Sequence, residues 1–268
     1  MTLINEILTK AKEFEANLLL PELNDARVKE AARIIEEHGI AKIINKTKIS
    51  MEEACNLLVE GKADGIVAGA TWPTKETLKP AIKIVGVKNK IASSFFLMVK
   101  NNKPFLFADC AFNVRPTEEQ LAQIASDTCS SAKMFNIIPK VAFLSFSTKG
   151  SAKHEDVEKT VKTFQLFKKS NPSIIAEGEI QFDAAIIKEI GDSKAPNNEL
   201  KGEANIFIFP DLNSGNIAYK IAERWGEAKA IGPINQGFKK PVNDLSRGCS
   251  VEDIVLVAAV TVLQTKNL

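Results

Sequence analysis

The chain has 268 residues, 45% of them hydrophobic and 25% charged, with a formal net charge of +2. That length allows one large α/β domain or two smaller ones, and the composition is too apolar for a disordered chain. So small a net charge excludes a field that would hold nucleic acid or an anionic membrane by charge alone, so an anionic ligand must be gripped by local groups.

Residues 1–12 interleave charged and apolar side chains, unlike a secretory leader, and no uncharged apolar run approaches the ~20 residues that cross a bilayer. A cytoplasmic protein is therefore expected. Apolar residues at helical spacing predict a helix over 26–38, ended by Gly39. Ser50 opens a second helix: Ser50-Met51-Glu52-Glu53 has capping-box spacing, and Ala54, Leu57 and Leu58 supply the buried face. A strand over 65–68 comes next. Two β-rich runs, 91–99 and 105–112, flank the turn-prone Lys100-Asn101-Asn102-Lys103-Pro104 and predict a β-hairpin. From Thr117 onward the pattern alternates: helix 117–135, strand 140–146, helix 155–169, strand 204–209, helix 217–224, and a final apolar helix over 251–264. Such alternation predicts an α/β fold with a parallel or mixed sheet covered by helices.

Cys55, Cys110, Cys129 and Cys249 are scattered without the paired spacing of a zinc site, so buried free thiols are expected in a reducing compartment. His38 and His154 lie on separate segments and suit surface or capping roles better than a metal site. No GxxxxGK[ST], GxGxxG, HExxH or GxSxG motif is present, which removes the main support for nucleotide-triphosphate, dinucleotide, zinc-protease and serine-hydrolase readings.

Three loops carry possible chemistry. Asp244-Leu245-Ser246-Arg247-Gly248-Cys249 leads into the N-terminus of the last helix, where free N–H groups and the helix dipole favour an anion. Arg247 can hold a phosphate bidentately, Ser246 adds a hydroxyl, Gly248 allows close approach, and Asp253 lies one turn into the helix, placed to accept a proton. Ser250-Val251-Glu252-Asp253 also has capping-box spacing, so Asp253 could instead serve the helix start, and the residues alone leave both uses open. After the strand over 140–146, Ser147-Thr148-Lys149-Gly150-Ser151-Ala152-Lys153 offers hydroxyls, a glycine and two lysines that suit phosphate, or an ordinary strand-to-helix turn. Asn213, Ser214 and Gly215 lie in a third loop, 210–216, at another strand's carboxyl end, where open α/β sheets bind ligands, although Asp, Asn and Gly there also suit ordinary turn chemistry.

At these residues the chain resembles the phosphate acetyltransferases of the phosphate acetyl/butyryltransferase family. The resemblance runs from Ser93 to the C-terminus through SSFFLM (93–98), FADCAFN (107–113), LSFSTKGSAKH (144–154), GEIQFDAA (178–185), NIFIFPDLNSGN (205–216), AIGPINQG (230–237) and KPVNDLSRGCSVEDIV (240–255). It implies two α/β domains with mainly parallel sheets flanked by helices, isocitrate/isopropylmalate dehydrogenase-like, with a ligand cleft between them. Domain I, shortened, would comprise 1–90 and 242–268, and domain II 91–241. It further implies a homodimer that acts on coenzyme A and acetyl phosphate as substrates, without a cofactor or a metal in the chemical step. In the family mechanism Asp253 would take the thiol proton of coenzyme A, the thiolate would attack the acetyl carbonyl directly, and Arg247 and Ser246 would stabilise the transition state. The resemblance places Ser147, Thr148, Lys149, Gly150, Ser151, Asn213, Ser214, Gly215, Lys79, Gly248 and Cys249 at the substrates, with Cys249 beside the site rather than as nucleophile.

The first third departs from the family. LPELNDARV (20–28) resembles the family start, but the chain then passes quickly to Ser50. Relatives carry here a segment bearing a basic phosphate-site element for which this sequence offers no aligned motif, with Lys46 and Lys48 the nearest basic residues. Relatives commonly have arginine at Lys79 and a smaller or imidazole side chain at Trp72. These departures leave two alternatives, a propanoyl or butyryl phosphate acyltransferase and a catalytically weakened coenzyme A-binding protein.

Overall fold

The computed structural model describes residues 2–89 and 91–266. Backbone pairing and packing divide the chain into two units, Met1–Ala92 with Ile231–Leu268, and Ser93–Ala230. Residues 231–241, assigned above to domain II, belong to the first unit because of their hydrogen bonds. The Asn235 amide donates to Asn243 Oδ1 at 2.7 Å, Asn235 Nδ2 donates to the Val242 carbonyl, and the Lys88 amide donates to the Gly237 carbonyl.

In the first unit a four-stranded parallel sheet runs in the order β10-β3-β1-β2, with β1 Asn17–Leu19, β2 Lys42–Ile43, β3 Gly65–Ala68 and β10 Val242–Asp244. Its helices are α1 Leu3–Ala11, α2 Ala26–Glu37, α3 Met51–Val59, α4 Thr74–Pro80, which continues as a π-helical turn over Ala81–Val85, and α10 Val251–Thr265. Local chemistry sets the helix starts. The Asp25 carboxylate accepts from the Arg27 and Val28 amides and Ser50 Oγ accepts from the Glu53 amide, so orphan donors of the first turn are satisfied. The expected helices over 26–38 and after Ser50 and the strand over 65–68 are all present.

Residues 254–263 of α10 are all buried, so this helix is a core element rather than an amphipathic cover. Its polar residues are satisfied internally. Asn243 Nδ2 donates to Thr261 Oγ1 (2.8 Å) and Gln264 Oε1 (2.7 Å), which ties the helix to β10. Parallel pairing brings the carboxyl ends of all four strands to one edge, so the loops after β1, β3 and β10 are neighbours there.

The second unit holds a sheet in the order β7-β6-β8-β5-β4-β9. The strands are β4 Ser93–Lys100, β5 Lys103–Ala108, β6 Lys140–Leu144, β7 Ile175–Ile180, β8 Ile206–Ile208 and β9 Lys229–Gln236, whose later residues belong to the first unit. β4 and β5 form the expected hairpin, turning through Asn101 and Asn102 at φ +51° and +60°, values asparagine tolerates. β5, β8, β6 and β7 pair in parallel. The second run ends as strand at Ala108 because the next residues wrap around the Asp109 carboxylate. α5 Glu118–Ala132 opens with a full Thr117/Gln120 capping box, and α6 Glu155–Ser170 is capped by His154, whose Nδ1 accepts from the Asp156 amide. Phe96, Phe107, Phe207 and Phe209 pack in one buried cluster with the short helices α7 Phe182–Ile186 and α8 Lys188–Lys194. α9 Leu212–Arg224 starts earlier than the expected 217. Among the described residues no helix is long and apolar enough to cross a membrane.

Candidate functional site

β10 ends at Asp244, and the chain then turns sharply before α10: the Leu245 amide donates to the Ala68 carbonyl at 2.7 Å and the Cys249 amide to the Ser246 carbonyl at 2.9 Å. Ser246, Arg247 and Gly248 are exposed at the tip while Cys249 turns inward and is buried. Among the described residues the Arg247 guanidinium has no hydrogen-bond or ion-pair partner, an open cation beside the Ser246 hydroxyl, whose oxygen accepts from the Gly248 amide at 3.3 Å. A Cβ at Gly248 would meet only Ser246 Oγ, 3.9 Å away, so no packing inside the unit demands a glycine there. Ser250 and Asp253 form a complete capping box: Ser250 Oγ accepts from the Asp253 amide at 3.1 Å, and Asp253 Oδ2 accepts from the Ser250 amide and hydroxyl at 2.9 and 2.8 Å. The capping use of Asp253 is therefore realised, and it fixes the carboxylate at the helix start.

Arg27 holds this loop in place, and the sequence reading missed it. From the first turn of α2 its Nη1 donates to the carbonyls of Arg247 and Cys249 and its Nη2 to the Ala70 carbonyl, each at 2.9 Å. Asp25 orients the guanidinium through Nε (3.1 Å) and Nη2 (2.9 Å), and Arg27 holds the Asp25 carboxyl below its ordinary pKa. One side chain thus staples the loop after β10 to the loop after β3. Burial pushes the Cys249 thiol up, with Arg27 pulling the other way, so a thiol rather than a thiolate lies under the loop.

Glu22, in the loop after β1, is 1% exposed. Its carboxylate accepts from the amides of Gly69, Ala70, Thr71 and Trp72 and from the Thr71 hydroxyl, at 2.5–3.0 Å. An internal carboxylate thus fills the backbone nest after β3. Asp244 is 3% exposed, and among the described residues its Oδ1 has no hydrogen-bond partner. Burial pushes its pKa up to about 6, against the pull of the Thr74 and Thr77 hydroxyls.

Lys79, on α4, faces a cavity of about 770 Å³ within the first unit, together with Lys48, Lys75 and Trp72. Among the described residues none of these three lysines has an ion-pair partner, whereas Lys46 is tied to Glu36 and the Ile43 carbonyl. Of the two lysines nearest the missing segment, Lys48 is the one left available. Glu52, Glu53 and Glu76 also line the cavity and moderate its charge.

In the second unit the loop 147–151 is already committed to internal partners. Ser147 and Thr148 are buried; Glu179 Oε1 accepts from Ser147 Oγ at 2.9 Å and from the Gly150 amide at 2.6 Å; and Ser151 Oγ accepts from the Thr148 amide. Lys149 is paired with Glu177. Carboxylates from neighbouring β7 engage these donors, and among the described residues Lys153 has no ion-pair partner. The third loop is largely helix: Asp211 caps α9 by accepting from the Ser214 amide at 2.8 Å. A Cβ at Gly215 would lie 2.3 Å from the Asp109 carbonyl oxygen, so close packing accounts for that glycine. Asn213 is exposed on the first turn, and Asn216 Nδ2 donates to the Cys110 carbonyl.

Residues 46–262 match the family model described as Phosphate acetyl/butaryl transferase. The phosphate acetyltransferase of Bacillus subtilis is 41% identical, covering 97% of this chain and 84% of that protein. That of Thermoanaerobacterium thermosaccharolyticum is 40% identical over 328 aligned residues, covering 99% of this chain and all of that protein, so part of the relative has no counterpart here. Among solved structures, a phosphotransacetylase from Streptococcus pyogenes superimposes with a TM-score of 0.93 at 37% identity, covering 99% of this chain and 98% of that one. The EutD phosphotransacetylase from Staphylococcus aureus gives 0.90 at 34%, covering 98% of each chain.

Proposed function

Since the chain belongs to the phosphate acetyl/butaryl transferase family, we propose that it transfers an acetyl group reversibly between acetyl phosphate and coenzyme A, as a homodimer in the cytoplasm. The observation that carries the assignment of groups is the exposed, unpartnered Arg247 guanidinium, held by its own backbone in the loop that ends at the capped carboxylate of Asp253. Asp253 takes the proton of the coenzyme A thiol, an ordinary thiol being only a few per cent ionised at neutral pH. The thiolate attacks the acetyl carbonyl carbon, and Arg247 and Ser246 donate to the developing oxyanion and the phosphate. Collapse breaks the bond from carbon to the phosphate oxygen, phosphate leaves with the electron pair, and the thioester remains. In reverse, phosphate oxygen attacks acetyl-CoA and Asp253 returns the proton to sulfur.

Within the first unit Lys79 and Lys48 on their groove and Gly248 in the loop are the remaining groups offered to the substrates, with Cys249 buried beneath the loop; the second unit exposes Asn213 and Lys153. The committed partners of Ser147, Thr148, Lys149, Gly150 and Ser151 favour a supporting role for that loop, and Ser214 and Gly215 serve the start of α9.

The test is coenzyme A-dependent release of phosphate from acetyl phosphate by the purified protein, with propanoyl and butyryl phosphate run beside it. Acetyl phosphate should be turned over fastest, and Arg247→Ala and Asp253→Asn should each lower kcat by at least ~10²-fold. A folded protein without turnover overturns the reading, and a preference for longer acyl phosphates moves it to a different substrate.

A further inference from the structure

Nothing in the reaction above uses Glu22, a buried carboxylate in the loop after β1, at the carboxyl edge of the first unit's sheet. The chain leaves β3 at Gly69, whose φ of +100° opens a run in which four consecutive amides, 69 to 72, turn to one side. Glu22 Oε2 accepts from the Gly69 and Ala70 amides at 2.5 and 3.0 Å. Its Oε1 accepts from the Thr71 and Trp72 amides at 2.7 and 3.0 Å and from the Thr71 hydroxyl at 2.5 Å. With its amide held there, Ala70 presents its carbonyl to Arg27 Nη2 at 2.9 Å, while Arg27 Nη1 holds the carbonyls of Arg247 and Cys249. The two loops also meet backbone to backbone. The Leu245 amide donates to the Ala68 carbonyl at 2.7 Å, and a Cβ on Gly69 would lie 2.9 Å from the Leu245 amide. Arg27 therefore anchors the loop after β10 to a carbonyl whose place Glu22 sets.

We propose that Glu22 is a positioning residue for Ser246 and Arg247: it fixes the Ala70 carbonyl to which Arg27 fastens the loop 246–249. The chemistry it serves rests on the acetyltransferase reading; its geometry rests on the bonds just described.

The donor count gives the size of the effect. A carboxylate can accept from all five donors. Glutamine has the same size but a single oxygen, so whichever way its amide lies, two of the four backbone donors face an NH2 group. Buried donors without acceptors are costly, so the loop shifts to regain them and carries the Ala70 carbonyl with it. Asp25 still orients the Arg27 guanidinium, and every side chain assigned to substrate is retained. The loss is therefore one of placement, and a shift of about 1 Å in positioning groups costs on the order of 10²-fold in rate.

Wild type, Glu22→Gln, Arg27→Ala and the double variant are compared where urea unfolding shows each to be folded. Cys249, buried beneath the loop, reports its seating without any need for turnover. Its alkylation by iodoacetamide, read by peptide mass spectrometry as a ratio to Cys55 buried on α3, should be at least ~3-fold faster in Glu22→Gln. kcat for acetyl phosphate should fall at least ~10-fold. Because both residues act through one carbonyl, Glu22→Gln added to Arg27→Ala should cost less than ~3-fold more. Thr71→Val removes one donor and keeps the Glu22 charge, so faster alkylation there is not an electrostatic effect on the thiol. It should show both changes on a smaller scale, about 2-fold each, and Thr71→Ser, which keeps the hydroxyl, should restore both. This pair also carries the test where Glu22→Gln does not fold.

An unchanged alkylation ratio in the folded variants overturns the proposal. So does faster alkylation with kcat within ~2-fold of wild type, which would show that the loop moves without cost to the chemistry. A double variant that loses the full product of the two single losses also overturns it, because the residues would then act by separate routes. Absence of turnover in the wild type refutes the acetyltransferase reading instead, and the alkylation ratios then decide alone whether Glu22 seats the loop.

Discussion

Replacing Arg27 with alanine removes the clamp on the site loop without touching a group assigned to substrate. Three backbone carbonyls, of Ala70, Arg247 and Cys249, lose a charged donor. Such bonds contribute about 1.5–3 kcal/mol each when fully sheltered. The side chain is 33% exposed and water replaces part of what is lost, so the total should be about 3 kcal/mol rather than the full sum. The loss falls on the two loops that Arg27 joins, so the rate should suffer as well: a displacement of about 1 Å in the positioning groups costs on the order of 10²-fold. Arg27→Lys keeps the charge but cannot fork to three carbonyls, and should recover less than half of either effect. The pH dependence follows from Asp25. Arg27 lowers its folded-state pKa, so the pair contributes stability above the ordinary carboxyl range and loses it as pH falls through the lowered value. The stability gap between wild type and Arg27→Ala should therefore narrow below about pH 4. Urea unfolding and steady-state kinetics on the three proteins measure all of this. An Arg27→Ala protein within 0.5 kcal/mol of wild-type stability, or within about 2-fold in kcat/KM, refutes the clamp.

Two further outcomes follow from the same packing. Cys249→Ala should keep kcat within a few fold, because burial holds the thiol neutral and direct transfer needs no acyl-enzyme; complete loss of turnover in a folded variant would restore cysteine as nucleophile. Gly215→Ala should lower the unfolding midpoint, because its Cβ would meet the Asp109 backbone at 2.3 Å, while Gly248→Ala should leave stability unchanged and raise KM, because its Cβ would meet only Ser246 Oγ, at an ordinary contact distance of 3.9 Å. Reversed effects in thermal unfolding and kinetics would contradict both assignments.

The sequence showed what depends on near neighbours. Ser50 and Ser250 cap helices through residues three positions away, and the hairpin turn at Asn101 and Asn102 is equally local. The two groups proposed above as ligand donors, Ser246 and Arg247, lie within a single loop and could be singled out in the same way. What escaped depends on tertiary contacts. Arg27 lies 220 positions from the carbonyl it holds, and Glu22 meets its nest 47 to 50 positions away. Nothing in their local patterns marks them, although both lie in the 20–28 stretch that resembles the family start. The loop 147–151 shows the complementary case: hydroxyls, glycine and lysine suit an anion, and the anions they meet within the unit are Glu177 and Glu179 of the adjacent strand. β7 itself, with a glycine between two glutamates, does not alternate as a half-buried strand should.

The same limit explains why Asp253 could not be assigned from its spacing. A capping box and a catalytic carboxylate need the same residue at the same place, so the motif could not separate them; the structure shows the cap, and the proposed catalytic role is compatible with it. The box engages Oδ2 with two donors from Ser250, which restrains the side chain at the mouth of α10. A general base gains from that restraint, because a proton acceptor must be held within hydrogen-bond reach of its donor. Asparagine at 253 keeps an acceptor for the Ser250 donors while losing basicity, so the cap survives and the base does not. A fall in kcat without a fall in stability in Asp253→Asn is the signature of one carboxylate serving both purposes, whereas equal losses in both would reduce Asp253 to a cap.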